Sequence, residues 1–170
     1  MCAKFKLLNK LFLLVVFFIS CGTNEKRPQE NIFKVILTVK VIEDDKFQLF
    51  YIDSANGKYN ERDVVSVNVE GSQDFQSIVF KLPLKAFPRQ FRIDIGENKI
   101  ESPVEIDTLK IMFGSKKLVM NNMTFNRFFK HNVYIEENEH GIYSRRIINK
   151  KYDPFFSSTE FLKKHLELKF

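Results

Sequence analysis

Phe33-Lys34-Val35-Ile36-Leu37-Thr38-Val39-Lys40-Val41 decides the fold class. Phe33, Val35, Leu37, Val39 and Val41 fall on one side of an extended chain; Lys34, Thr38 and Lys40 fall on the other. Successive side chains of extended backbone point in opposite directions, so this period of two marks a half-buried strand. The pattern recurs. Phe47, Leu49 and Tyr51 alternate before the turn pair Asn56-Gly57. Val65, Val67 and Val69 alternate before Gly71, Ile78, Phe80 and Leu82 before Pro83, and Phe91, Ile93 and Ile95 before Gly96. Val104 and Ile106, then Leu109, Ile111 and Phe113, make a longer strand that ends at Gly114. Short strands at this spacing, punctuated by turn residues, predict a mainly β chain folded as a β-sandwich or jelly roll. Phe is abundant, and its place on the inward faces of these strands reads as core.

The last third is less regular. Phe125, Phe128 and Phe129 stand at helical spacing within Met123 to Lys130, which predicts a short amphipathic helix. Val133 to Ile135 and Ile142 to Ile148 read as further strands, and Asp153-Pro154 as a break. Ser157 with Glu160 has the spacing of a capping box. After it, Phe161, Leu162, His165, Leu166 and Leu168 form a helical stripe that closes one end of the sandwich. One or two short helices near the C-terminus are therefore expected.

The N-terminus has a different logic. Lys4, Lys6 and Lys10 precede an unbroken apolar run, Leu11 to Ile19, and then Ser20 and Cys21. Basic start, apolar run and small residue make up a secretory signal. The run is shorter than the roughly 20 apolar residues that a bilayer span needs. Phe18-Ile19-Ser20-Cys21 resembles the lipobox of bacterial lipoproteins, with Phe where Leu is common. That resemblance implies cleavage after Ser20, diacylglycerol on the Cys21 thiol and acylation of the new amine. Each methylene buried in lipid contributes about 0.8 kcal/mol, and stable retention takes more than one chain. Residues 22–31, polar and without periodicity, read as a tether. The expected organisation is a signal over 1–20, a lipidated Cys and tether over 21–31, and one β-sandwich domain over 32–170. The domain then sits in the cell envelope, held to a membrane by lipid, on the periplasmic side or at the cell surface.

Cys2 leaves with the signal and Cys21 carries lipid, so the mature domain has no disulfide and rests on its apolar core. The formal charge of the chain is +6. Once the signal lysines are removed, the positive excess falls after residue 113, in Lys116-Lys117, Arg145-Arg146, Lys150-Lys151 and Lys163-Lys164. These read as solvated surface, with attraction for phosphate-bearing lipids or anionic glycans as the sharper alternative. Export argues against a nucleic-acid partner.

Phe47-Gln48-Leu49-Phe50-Tyr51, Tyr59-Asn60-Glu61, Asp74-Phe75-Gln76, Phe80-Lys81-Leu82-Pro83 and Phe91-Arg92-Ile93-Asp94 together resemble an accessory β-sandwich domain of bacterial cell-envelope proteins. Among those proteins are membrane glycosyltransferases of polysaccharide assembly, and the domain is similar in fold to carbohydrate-binding modules. The resemblance spans residues 33–113. In that family Pro or Gly often follows the Asp directly, whereas here Ile95 precedes Gly96. The resemblance implies a stand-alone binding or structural module.

Arg92 and Asp94 share one strand face, opposite Phe91 and Ile93, and can pair or line a ligand face. Arg forks two hydrogen bonds and Asp accepts from hydroxyls. Tyr51 is the expected apolar surface beside them. Asp53, Asn56, Asn60, Glu61 and Asp63 offer oxygen ligands of the kind that Ca²⁺ takes, without the spacing of an EF-hand loop. Turns favour Asn and Asp regardless. His131, His140 and His165 have no metal-ligand spacing. No glycine-rich phosphate loop appears, and no cofactor is expected. Nothing selects the facing pair of carboxylates that glycoside hydrolysis needs. The leading reading is a non-catalytic envelope module that binds a cell-surface glycan or an envelope protein, or serves structurally. The alternative is a small envelope hydrolase.

Overall fold

In the computed structural model, residues 31–53, 59, 62–99 and 101–170 are described. The signal, Cys21 and most of the tether lie outside them, as do Asn56-Gly57, Asn60 and Glu61. Two antiparallel sheets pack face to face as a β-sandwich. The first contains β1 (Phe33–Val41), β4 (Gln76–Lys81), β6 (Val104–Phe113), β7 (Lys116–Asn121), β9 (Ile135–Glu139) and β10 (Ile142–Arg145). Its path is β4-β1-β6-β10-β9, and β7 also pairs with β6. The second runs β3 (Val64–Val69), β2 (Asp45–Ile52), β5 (Gln90–Ile95), β11 (Phe155–Ser158), β8 (Phe129–His131).

The alternation read from β1 is fulfilled residue by residue: Phe33, Val35, Leu37, Val39 and Val41 are all buried. In β6 the apolar parity changes from Val104 and Ile106 to Leu109 and Ile111. Thr38 pairs with Thr108 but Val39 pairs with Ile106, leaving Asp107 as an extra residue. A β-bulge of this kind resets which side chains face inward, so both apolar sets reach the core.

α1 (Asn122–Phe128) is capped by Asn121, whose side chain accepts from the Thr124 N–H while the Thr124 hydroxyl accepts from the Asn121 N–H. The helix stops two residues earlier than its aromatic spacing predicts. Phe129 is extended and opens β8, and its ring stacks on Phe125 at 5.1 Å. α2 (Glu160–Lys169) starts from Thr159, not from Ser157. Ser157 lies in β11, and Thr159 accepts from the Leu162 N–H. Leu162 and Leu166 bury themselves, and Phe161 and His165 pack on Phe128.

Arg145 departs from the expected solvated surface. It is 1% exposed. Its Nη1 donates to Asp45 Oδ2 at 2.5 Å and to the Ile95 carbonyl at 3.0 Å, and its Nε and Nη2 donate to the Ser102 carbonyl. Asp45 Oδ1 accepts from the N–H groups of Lys46, Glu97 and Asn98. Gly96 makes room for the pair, because a Cβ there would lie 2.3 Å from Arg145 Nη1 and 2.4 Å from Asp45 Oδ2. Its φ of +129° also suits glycine alone. Asp45 and Ile95 belong to one sheet and Arg145 to the other, so these bonds join the two layers.

Phe80 faces Val35 across β4 and β1 and is fully buried. Phe80→Ala is expected to cost about 3–5 kcal/mol in chemical denaturation. A loss below about 1 kcal/mol would mean that the site collapses without a cavity or that the ring is not in the core.

Candidate functional site

β5 puts Phe91, Ile93 and Ile95 in the core and Arg92 and Asp94 on the outer face of their sheet. There the two side chains bind each other. Arg92 Nε donates to Asp94 Oδ1 at 2.7 Å, and Nη2 donates to Asp94 Oδ2 at 2.8 Å and to Asp153 Oδ1 at 2.6 Å. The guanidinium lies 3.7 Å from the centre of the Phe155 ring and 5.5 Å from that of Phe50. Partial burial pushes the Asp94 carboxyl above its ordinary range, with Arg92 pulling against it. The Arg fork is therefore largely spent within the protein, tying β5 to the chain around Asp153 and Phe155.

Tyr51 lies on the opposite face. It is 5% exposed and pairs with Phe91, while Phe50 is the residue across from Arg92. Period two places Tyr51 with Phe47 and Leu49, inside. The tyrosine near Arg92 is Tyr59, whose hydroxyl donates to the Phe91 carbonyl at 2.9 Å. Of the acidic loop, Asp53 Oδ1 accepts the Phe87 N–H and the Asp63 carbonyl accepts the Tyr51 N–H. Among the described residues no group of three or more His, Cys, Asp or Glu is placed to hold a metal. Asn56 and Glu61 lie outside them.

A concave groove of about 350 Å³ opens elsewhere, between α1, β8 and β9. Asn126 from the helix, Phe129, Lys130 and His131 from β8, and Glu137 from β9 line it. A chain of hydrogen bonds sets its polar groups. The buried Tyr143 hydroxyl donates to Asn126 Oδ1 at 3.1 Å, and Asn126 Nδ2 donates to both Glu137 carboxylate oxygens at 2.7 Å. His140 Nδ1 stands 3.8 Å from Glu137. His131 Nδ1 faces the Asn132 carbonyl at 3.0 Å, leaving its other ring nitrogen for a ligand. Beneath the groove Phe125, Phe129, Tyr143 and Phe156 pack ring to ring at 4.9–6.2 Å. This fixes Asn126 and Glu137 on a rigid aromatic base.

Burial raises the Tyr143 hydroxyl well above its ordinary range. The Glu137 charge adds to the shift and the Asn126 bond opposes it. The hydroxyl is thus held as a neutral donor. The groove offers an acceptor carboxylate, an ammonium and an imidazole over apolar surface, which suits hydrogen bonding to a polar ligand. Tyr143 is one of five tyrosines that the sequence offers as apolar surface for a sugar, but no local signal joins it to Asn126 and Glu137, because the three come from α1, β9 and β10. Neither a protein-family model, nor a curated protein, nor a solved structure matches this chain.

Tyr143→Phe removes the donor to Asn126 and is expected to cost about 1–3 kcal/mol at neutral pH. Its pKa in the fold lies above the unfolded value near 10. The stabilisation is therefore complete below pH 10 and is lost as pH rises beyond it, where the unfolded chain gives up a proton that the fold retains. Tyr152, pushed up to about 12 by burial, adds to the same alkaline loss. In denaturation curves above pH 10, Tyr143→Phe should flatten the decline; an unchanged slope would contradict the assignment.

Proposed function

We propose that this chain is a lipid-anchored protein of the bacterial cell envelope whose β-sandwich is a non-catalytic module for a cell-surface glycan. The anchor is Cys21, at the end of the apolar run. The observation that carries the binding role is the Tyr143–Asn126–Glu137 chain of hydrogen bonds at the groove. It holds a carboxylate ready to accept from sugar hydroxyls, while Lys130 donates to sugar oxygens and the ring nitrogen of His131 that faces away from the Asn132 carbonyl accepts from a hydroxyl. Groups fixed in advance lose little entropy on binding, which favours a weakly held, flexible ligand such as a polysaccharide segment. The resemblance of residues 33–113 to envelope β-sandwiches points the same way.

The test combines processing with binding. Cys21→Ala should abolish lipid labelling and release the chain from membranes. Calorimetry with envelope glycans should show binding by the parent chain and a loss of roughly ten- to a hundredfold in Glu137→Gln, the scale of one charge-assisted hydrogen bond. Arg92→Ala should leave affinity unchanged, since its donors serve Asp94 and Asp153. A folded parent that binds no envelope glycan would refute the module, and release of reducing sugar would make it a hydrolase.

A further inference from the structure

The two poles of the sandwich differ in chemistry. At one pole lie the start of β1, the loop from Leu82 to Arg89, the β6–β7 hairpin and the last turn of α2. Register fixes this grouping: Phe33 pairs with Phe113, Lys34 with Lys81, and Phe113 with Lys116. The Leu82 N–H donates to the Phe33 carbonyl, and Asn31 approaches Gly114. An aromatic knot seals this pole. Phe33 stacks on Phe113 at 4.5 Å, meets Phe87 edge-on at 5.2 Å and touches Phe170 at 5.5 Å.

Large apolar side chains stand exposed at the rim of the knot and around it. Leu84 is 67% exposed, Phe87 41% and Leu168 85%. Exposed Lys81, Lys85, Arg89, Lys116, Lys117 and Lys169 surround them. Lys85 has φ +77°, a left-handed conformation that a side chain rarely adopts. The turn formed by Pro83 and Ala86 keeps it there and leaves Leu84 and Lys85 facing outward. Among the described residues the acids at this pole include Asp53, engaged with the Phe87 N–H, Glu160, which accepts from Gln90, and Asp63 and Glu167. The opposite pole, beyond Val41, Val69, Ile95 and the start of β6, is net acidic: it carries Glu43, Asp44, Glu70, Asp74, Glu97 and Glu101, with Lys46, Lys99, Lys150 and Lys151 among them.

We propose that the basic, apolar pole is a docking surface for the anionic phospholipid bilayer that holds the anchor. The orientation rests on the Cys21 reading, because the chain enters the domain at this same pole. Leu84, Phe87 and Leu168 enter the interfacial layer, the lysines and Arg89 meet phosphate headgroups, and the acidic pole faces away. A patch that is both apolar and basic fits a bilayer surface better than a second copy of itself, whose matching lysines would repel. Docking would leave the Glu137 groove, set back on the sandwich, open to a ligand.

The test uses the lipidated full chain in vesicles of phosphatidylcholine, or of equal parts phosphatidylcholine and phosphatidylglycerol. Processing and lipidation leave no other free thiol, so Leu84→Cys and Glu43→Cys each accept one fluorophore. In anionic vesicles a nitroxide-bearing phospholipid should quench the label at position 84 and not the one at position 43. Adding Lys85→Glu and Lys117→Glu should remove most of that quenching. Each basic residue near an anionic surface strengthens attachment about fivefold. Mass spectrometry of the N-terminus scores the anchor reading separately. The unlipidated Cys21→Ala chain should still partition at least about tenfold better into anionic than neutral vesicles, falling to the neutral level with the two charge reversals. Absence of quenching at position 84 together with equal partitioning would overturn the proposal. So would a label at position 84 shielded by self-association yet untouched by the lipid quencher.

Discussion

The buried ion pair of Asp45 and Arg145 is the constraint on which the rest of the sandwich depends. Neither side chain has exposed surface. Two charges taken out of water are tolerable only when every donor and acceptor finds a partner. Here Asp45 accepts three backbone N–H groups as well as Arg145, and Arg145 reaches the Ile95 and Ser102 carbonyls. Those partners belong to β2, to the turn after β5, to the segment before β6 and to β10. The pair therefore sets where four pieces of chain meet, across both sheets. Gly96 follows from it, since any larger residue would displace the charges. Tyr152 sits beside the same guanidinium and closes the site.

With that pole fixed, the other elements fall into place by simpler physics. The strand faces bury a continuous apolar core from Phe33 to Leu166. The Asp107 bulge keeps β6 in register with β1 on both sides of the parity change. α1 turns the chain out of β7 and straight into β8 in the other sheet, and in doing so carries Asn126 to the groove. The two poles are thereby given opposite work. One is locked by a buried pair under an acidic surface, and the other is sealed by aromatic rings under a basic, apolar one.

The strands of period two were legible in the sequence because the signal is local: Phe33 to Val41 and Phe91 to Ile95 state their own burial. β7, β8 and β11 were not. Lys116-Lys117 begins β7 with two exposed charges, and Phe155-Phe156 is too short to display a period. The outer face shared by Arg92 and Asp94, and their ability to pair there, are legible in the alternation of β5. The further contacts of Arg92 with Asp153 and Phe155 are not, because those residues are some sixty positions away. Arg145 read as one of a basic pair on the surface, since the acid that buries it stands one hundred residues earlier. Pairings at such separation leave no trace in periodicity or spacing.

A double-mutant cycle on Asp45 and Arg145 tests this account most directly. Asp45→Asn and Arg145→Met should each destabilise the folded chain by about 3–5 kcal/mol, because each strands a buried charge. The double variant should lose markedly less than the sum, with a coupling of at least about 2 kcal/mol. Additive losses in urea denaturation would contradict the account, by showing that the two side chains contribute to the fold independently and that the pair does not join the sheets.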